Sequence, residues 1–196
     1  MYKYYLFDLD GVLADTTMIQ YESTREAIKR IKNADFLKED VWSNIFMSTI
    51  TTYDKLHKLY ECNLISYEEI DIIYNEKKKI ADSKFEMLEK EEEKIKLFTC
   101  LKQKGSNIAV VTNGNKRSSE IILKRIGLFD YIDIIISNND VVHKKPHSEP
   151  YIRAMLHFGG KLEEYVIFED SECGLTSAYG TGCKVNHVKN CIISLD

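Results

Sequence analysis

One repeated order constrains this chain more than anything else: a short apolar run, a polar cluster at its end, then a helical pattern. Tyr4-Tyr5-Leu6-Phe7 ends in Asp8 and Asp10, Ile108-Ala109-Val110-Val111 in Thr112-Asn113, and Val166-Ile167-Phe168 in Glu169-Asp170. Short runs of aromatic and branched residues with no polar face suit strands buried on both sides. Helices between such strands make a parallel sheet covered on both faces, so the expected fold is α/β, with a doubly wound, Rossmann-like core. Parallel strands end at one edge of the sheet, so all three polar clusters converge there.

The interval between the first two strands is too long for a plain crossover, which needs about 30 residues. Its pattern is helical throughout: Thr16 to Asn33, a helix capped by Asp40 with Val41, Trp42, Ile45 and Phe46, another from Thr52, and a capping box of Ser66 with Glu69 ahead of Ile70, Ile73 and Phe85. The surplus is read as an insertion. The domain organisation expected is a catalytic core of residues 1–15 and 95–196, with 16–94 as an inserted helical cap above the strand ends, where open α/β sheets bind ligands. Glu89-Lys90-Glu91-Glu92-Glu93-Lys94 reads as a solvated helix face at a hinge. Further strands are expected at Ile132–Ile136, Lys184–Val185 and Ile192–Ile193, and further helices at 116–126 and 149–158.

Composition excludes several classes. The 196 residues carry a formal charge of −4, and their lysines are scattered, so no nucleic-acid surface is indicated. Lys77-Lys78-Lys79 reads as a solvated helix face. No apolar run is long enough for a bilayer, and Asp8 follows the first methionine too closely for a signal peptide. The expectation is a cytoplasmic protein, a monomer or weak oligomer with no membrane partner. Five widely spaced cysteines read as reduced thiols, mostly buried, and neither His143 and His147 nor any cysteine has the company of a zinc site.

The chemistry is concentrated in the polar clusters. Two carboxylates at the end of a buried strand lose hydration and repel each other unless a cation offsets both costs. Oxygen ligands suit Mg2+, which leaves positions for water and phosphate. An aspartate beside it can attack phosphorus, and a second can protonate the leaving oxygen. Thr112 can donate a hydroxyl, the amides after it open toward a helix start, and Lys145 adds a cation from the loop before Pro146.

Asp8-Leu9-Asp10-Gly11-Val12-Leu13-Ala14-Asp15-Thr16 resembles the first motif of the haloacid dehalogenase-like hydrolases, in their phosphatase and phosphomutase branch. Val110-Val111-Thr112-Asn113-Gly114 resembles the second, Lys144-Lys145-Pro146-His147-Ser148-Glu149-Pro150-Tyr151 the third, and Phe168-Glu169-Asp170-Ser171-Glu172-Cys173-Gly174 the fourth. The resemblance implies Asp8 as nucleophile and Asp10 as acid/base. It implies Mg2+ held by Asp8, the Asp10 carbonyl and Asp170, with Glu169 direct or through water. Thr112, Asn113 and Lys145 would bind the substrate phosphate. Retention of Asp10 points to phosphate esters, so the expected activity is hydrolysis of a small phosphorylated metabolite such as a sugar phosphate, through an aspartyl-phosphate. A phosphomutase uses the same residues, but Ile45 to Thr52 holds no arginine or lysine for a second phosphate. A binding protein that kept the fold and lost turnover is the remaining alternative.

Overall fold

The computed structural model describes residues 2–33 and 51–195. The helix expected from Asp40 lies outside them, as does most of the Ile45–Thr52 segment. Packing divides the chain into two compact units: Thr17–Phe85, and the residues on either side of it, up to Thr16 and from Glu86.

The second of these carries a five-stranded sheet of β1 (Tyr4–Phe7), β2 (Asn107–Val111), β3 (Ile134–Ile136), β4 (Tyr165–Glu169) and β5 (Lys184–His187). The strands lie in the order β3-β2-β1-β4-β5 and every pairing is parallel. β1 is central, and all four of its residues are buried, which is why it reads as an unbroken apolar run. Its alternation serves two layers. Tyr4 and Leu6 join Ala109, Val111, Tyr165 and Ile167 in a core that includes Tyr151 and Ala154 of helix α6 (Glu149–Phe158) and Ala178 of α7 (Glu172–Tyr179). On the opposite face Phe7 stacks on Phe168, its neighbour in register, at 4.7 Å and meets Phe98 of α4 (Glu92–Gln103) at 5.0 Å. Helix α5 (Lys116–Arg125) follows β2.

The other unit holds α1 (Thr17–Lys32), α2 (Thr52–Glu61) and α3 (Tyr67–Phe85), packed through Ala27, Ile28, Leu56, Leu59, Ile70, Ile73 and Ile80. The capping box forms: the Ser66 amide donates to Glu69 Oε2 at 2.7 Å and the Glu69 amide to Ser66 Oγ at 3.3 Å.

Several expectations are corrected. Ile192–Ile193 is no strand: Ile192 makes one bridge to Lys189, because Asn190 and Cys191 between them adopt positive φ and turn the chain. β3 is shorter than expected, since Phe129–Tyr131 form a 3-10 turn and the Asp133 carboxylate accepts the Ile108 amide at 2.7 Å and the Lys102 ammonium at 2.8 Å. Lys77 and Lys94 are buried rather than solvated; Lys77 Nζ donates to Gln20 Oε1 and Lys94 Nζ pairs with Glu91 at 3.1 Å. No cysteine is fully buried: Cys62 and Cys100 are exposed, and Cys173, Cys183 and Cys191 are half-buried. α4 begins at Glu92 and the Glu91 amide donates to Ile126 O, so the charged run from Glu89 lies in the sheet-bearing unit.

Candidate active site

The register of the sheet brings the acidic and basic groups together. Phe7 pairs with Val110 and with Phe168, so Asp8, one residue on, stands between Val111 and Glu169. Its amide still donates to Phe168 O at 2.9 Å, after which Gly11 turns the chain away with φ +86°. That glycine is required twice, because a Cβ there would also lie 2.6 Å from Asp170 Cγ.

Lys145 reaches this point from the loop between β3 and α6. Its Nζ donates to Asp8 Oδ1 at 2.6 Å, to Val111 O at 2.8 Å, to the Tyr151 hydroxyl at 3.1 Å and to Glu169 Oε1. Burial alone would lower the ammonium's proton affinity, but Asp8 and Glu169 outweigh it and hold the lysine protonated, above its ordinary value. Tyr151 donates to Glu169 Oε1 at 2.9 Å, and burial, then Glu169 and Asp8, push its phenol well above the usual value, so it stays neutral. The other Glu169 oxygen accepts the amides of Asp170 at 3.0 Å and Ser171 at 3.3 Å and the Ser171 hydroxyl at 3.3 Å. Ser171 in turn caps α7 by accepting the Gly174 amide at 3.0 Å. Gly174 lies directly against the Glu169 carboxylate, with no room for a Cβ.

The remaining carboxylates are less satisfied. Burial pushes the Asp8 carboxyl well above the usual range; Lys145 opposes that, while Glu169 and Asp10 add to it. Asp170 is pushed up to about 6, first by burial and next by Glu169. Its Oδ1 is buried with no hydrogen-bond partner. Carboxylate oxygens of Asp8, Glu169 and Asp170 lie within 4.8 Å of one another. An orphaned oxygen beside crowded acids, and oxygen donors throughout, fit a hard divalent cation. Asp10 is half-buried, and its Oδ1 accepts the Thr16 hydroxyl.

At the end of β2, Thr112 Oγ1 accepts the Gly114 amide at 2.9 Å, which keeps its hydroxyl proton for another acceptor. The same bond engages Gly114, so that amide does not stand open as the sequence suggested. Asn113 spends its carboxamide on the backbone of Lys145: Oδ1 accepts the Lys145 amide at 3.0 Å and Nδ2 donates to the Lys145 carbonyl at 3.1 Å. Asn115 caps α5 by accepting the Ser118 amide.

All the residues singled out from the sequence thus lie at the carboxyl ends of β1, β2 and β4 and in the loop after β3. Two neighbours were missed. Tyr151 ends the stretch that resembles the third motif but was given no role, and His187, at the end of β5, donates Nε2–H to Asp170 O at 3.2 Å with no signal in its local sequence. His143, His147 and Glu149 form a second cluster of possible ligands, but it is a loop clamp. Glu149 accepts the Val142 and His143 amides and Arg153 Nε, and is held down to about 2 by those bonds. His147 Nδ1 accepts the Glu149 amide, which leaves its proton on Nε2.

Among the described residues no helix is long and apolar enough to cross a membrane. A pyrophosphatase, PpaX of Bacillus cereus strain AH820, is 28% identical over 180 residues, covering 91% of this chain and 79% of that protein. The structure of CbbY from Rhodobacter sphaeroides, crystallised in complex with phosphate, superimposes with a TM-score of 0.80 at 21% identity over 99% of this chain and 90% of that one. A putative beta-phosphoglucomutase from Thermotoga maritima gives 0.74 at 26% identity over 99% and 87%. The sequence profile of the haloacid dehalogenase-like hydrolases matches residues 5–188, nearly the whole chain, which therefore belongs to that family of enzymes.

Proposed function

We propose that the protein is a Mg2+-dependent phosphatase acting on a small phosphorylated metabolite, a sugar phosphate or similar phosphomonoester, through an aspartyl-phosphate on Asp8. The observation that carries this reading is the buried pair of Asp8 and Lys145 at 2.6 Å, at the sheet edge where Asp10, Thr112, Glu169 and Asp170 also end. A carboxylate with one oxygen fixed by an ammonium presents its other oxygen to phosphorus in a defined direction, which is positioning of the kind phosphoryl transfer needs.

In this reading Asp8 attacks phosphorus while Asp10 protonates the leaving oxygen. Asp10 then takes a proton from the water that cleaves the acyl phosphate, with Thr16 holding its carboxylate in place. The Thr112 hydroxyl donates to a phosphate oxygen, and Lys145 opposes the protonation of Asp8 that burial favours. Asp8, the Asp10 carbonyl and Asp170 would hold the metal, which supplies neutralisation of phosphate charge. Glu169, both of whose oxygens already accept protein donors, serves Lys145. The Thr17–Phe85 unit, inserted between β1 and β2, serves as the cap that contacts the rest of the substrate.

The test is phosphate release from a panel of phosphorylated metabolites with Mg2+, run beside Asp8→Asn. Release by the wild type that disappears in the variant supports the assignment. Release that survives the substitution would remove Asp8 as nucleophile, and transfer between sugar positions without release would make the enzyme a mutase.

A further inference from the structure

We propose that the side chains of Asn113 and Tyr151 position Lys145, one acting on its backbone and the other on its ammonium, and that neither side chain contacts phosphate. The proposal rests on the phosphatase reading, because it assigns how that reading's central cation is held.

Asn113 lies at the end of β2 and Lys145 in the loop after β3, so nothing in the sheet ladder ties the two segments at this point. The Asn113 carboxamide makes the tie, with Oδ1 on the Lys145 amide at 3.0 Å and Nδ2 on the Lys145 carbonyl at 3.1 Å. The two bonds copy a strand pair. Turning the amide over would set donor against donor and oxygen against oxygen, so the network fixes its orientation. A carboxamide engaged in this way has both of its groups on the backbone of one residue and is not directed at a ligand.

The far end of the lysine is fixed by Tyr151. Its hydroxyl accepts from Lys145 Nζ at 3.1 Å and donates to Glu169 Oε1 at 2.9 Å, and its ring centroid lies 4.7 Å from Nζ. The side chain is fully buried on α6, so the phenol is a rigid post between the ammonium and its second carboxylate. A long, flexible lysine side chain loses rotamer freedom when it is ordered. Fixing its backbone at one end and its nitrogen at the other removes that freedom before substrate arrives, which sets the direction of the Asp8 carboxylate.

The experiment measures kcat and KM for p-nitrophenyl phosphate with Mg2+ in Asn113→Ala, Tyr151→Phe and Lys145→Ala, and in each pair with Lys145→Ala. Peptide-level hydrogen exchange across residues 142–148 is measured in parallel. A misplaced reacting group costs up to about a hundredfold in rate, so each single variant is expected to lose roughly ten- to hundredfold in kcat with KM within about twofold. In the Lys145→Ala background the second substitution is expected to add less than about twofold. Exchange at the Lys145 amide is expected to rise at least about tenfold in Asn113→Ala alone. A rise in KM at constant kcat would make Asn113 a phosphate ligand and overturn the proposal, as would full additivity with Lys145→Ala or unchanged exchange. A wild type inert toward the probe counts against the phosphatase reading, and the exchange result then decides the positioning of Lys145 by itself.

Discussion

Gly174→Ala is the sharpest test of how the catalytic edge is packed. Gly174 sits in the first turn of α7, where alanine ordinarily favours the helix by about 1 kcal/mol. Here the added methyl would overlap all three atoms of the Glu169 carboxylate, by roughly 1 Å or more relative to ordinary contact. The end of a glutamate usually swings aside at little cost. This one is fully buried, and its two oxygens accept from Lys145, Tyr151, the amides of Asp170 and Ser171, and the Ser171 hydroxyl. The helix cannot retreat either, since the Gly174 amide is bonded to its cap, Ser171. Disrupting a buried charge pair costs about 3–5 kcal/mol, so after the helix gain the variant should be less stable by about 2–4 kcal/mol. In a chain of this size that is a fall in Tm of about 4–16 °C. Displacement of Glu169 also releases Lys145, so kcat should fall about a hundredfold. The assays are thermal denaturation and p-nitrophenyl phosphate turnover below the variant's Tm. A variant as stable and as active as the wild type would refute the reasoning, because it would mean that the carboxylate is not held where the packing requires it.

Two further outcomes follow from the site. Asp170 binds its proton more tightly folded, at about 6, than unfolded, at 3.8, so its ionisation opposes folding above about pH 6 and that penalty is relieved as pH falls toward 4. A bound divalent cation favours the ionised form, so the Tm gain from Mg2+ should be full near about pH 8 and shrink through about pH 6; melts with Mg2+ and with EDTA measure it, and a pH-independent gain would exclude Asp170 as a ligand. Thr16→Val removes the hydroxyl that holds Asp10 and should lower kcat by roughly ten- to hundredfold, as expected for a hydrogen bond to a charged group, with the Mg2+ requirement unaltered; unchanged kcat would show that Asp10 needs no such support.

What the sequence disclosed follows from how local each signal is. Asp8, Thr112, Glu169 and Asp170 follow directly on buried apolar runs, and a parallel sheet carries such positions to one edge whatever the details of packing. Lys145 was found through its motif, since a loop lysine alone is ordinarily solvated. Asn113 was read as a phosphate ligand and Tyr151 only as the end of a motif stretch, and His187 was not singled out at all, because what each touches lies across a gap between segments remote in sequence. Gly174 was visible as a motif glycine, yet the carboxylate that demands it lies in another element. Lys77 and Lys94 mislead for the same reason: a charge run predicts solvent, and only packing shows which member faces inward. The helix expected around Trp42 falls in residues outside those described.

The seat of Lys145 also says how the active form arises. Its partners are scattered: Asp8 lies 137 residues away in sequence, Val111 34 and Glu169 24. Closing such long loops costs entropy that is offset only when the whole edge has assembled. Helices can form early and locally, but they contribute nothing to the seat of Lys145 until β1, β2 and β4 are side by side. Activity recovered on dilution from denaturant is therefore a count of completely native molecules, and it should lag the return of helical signal rather than rise with it.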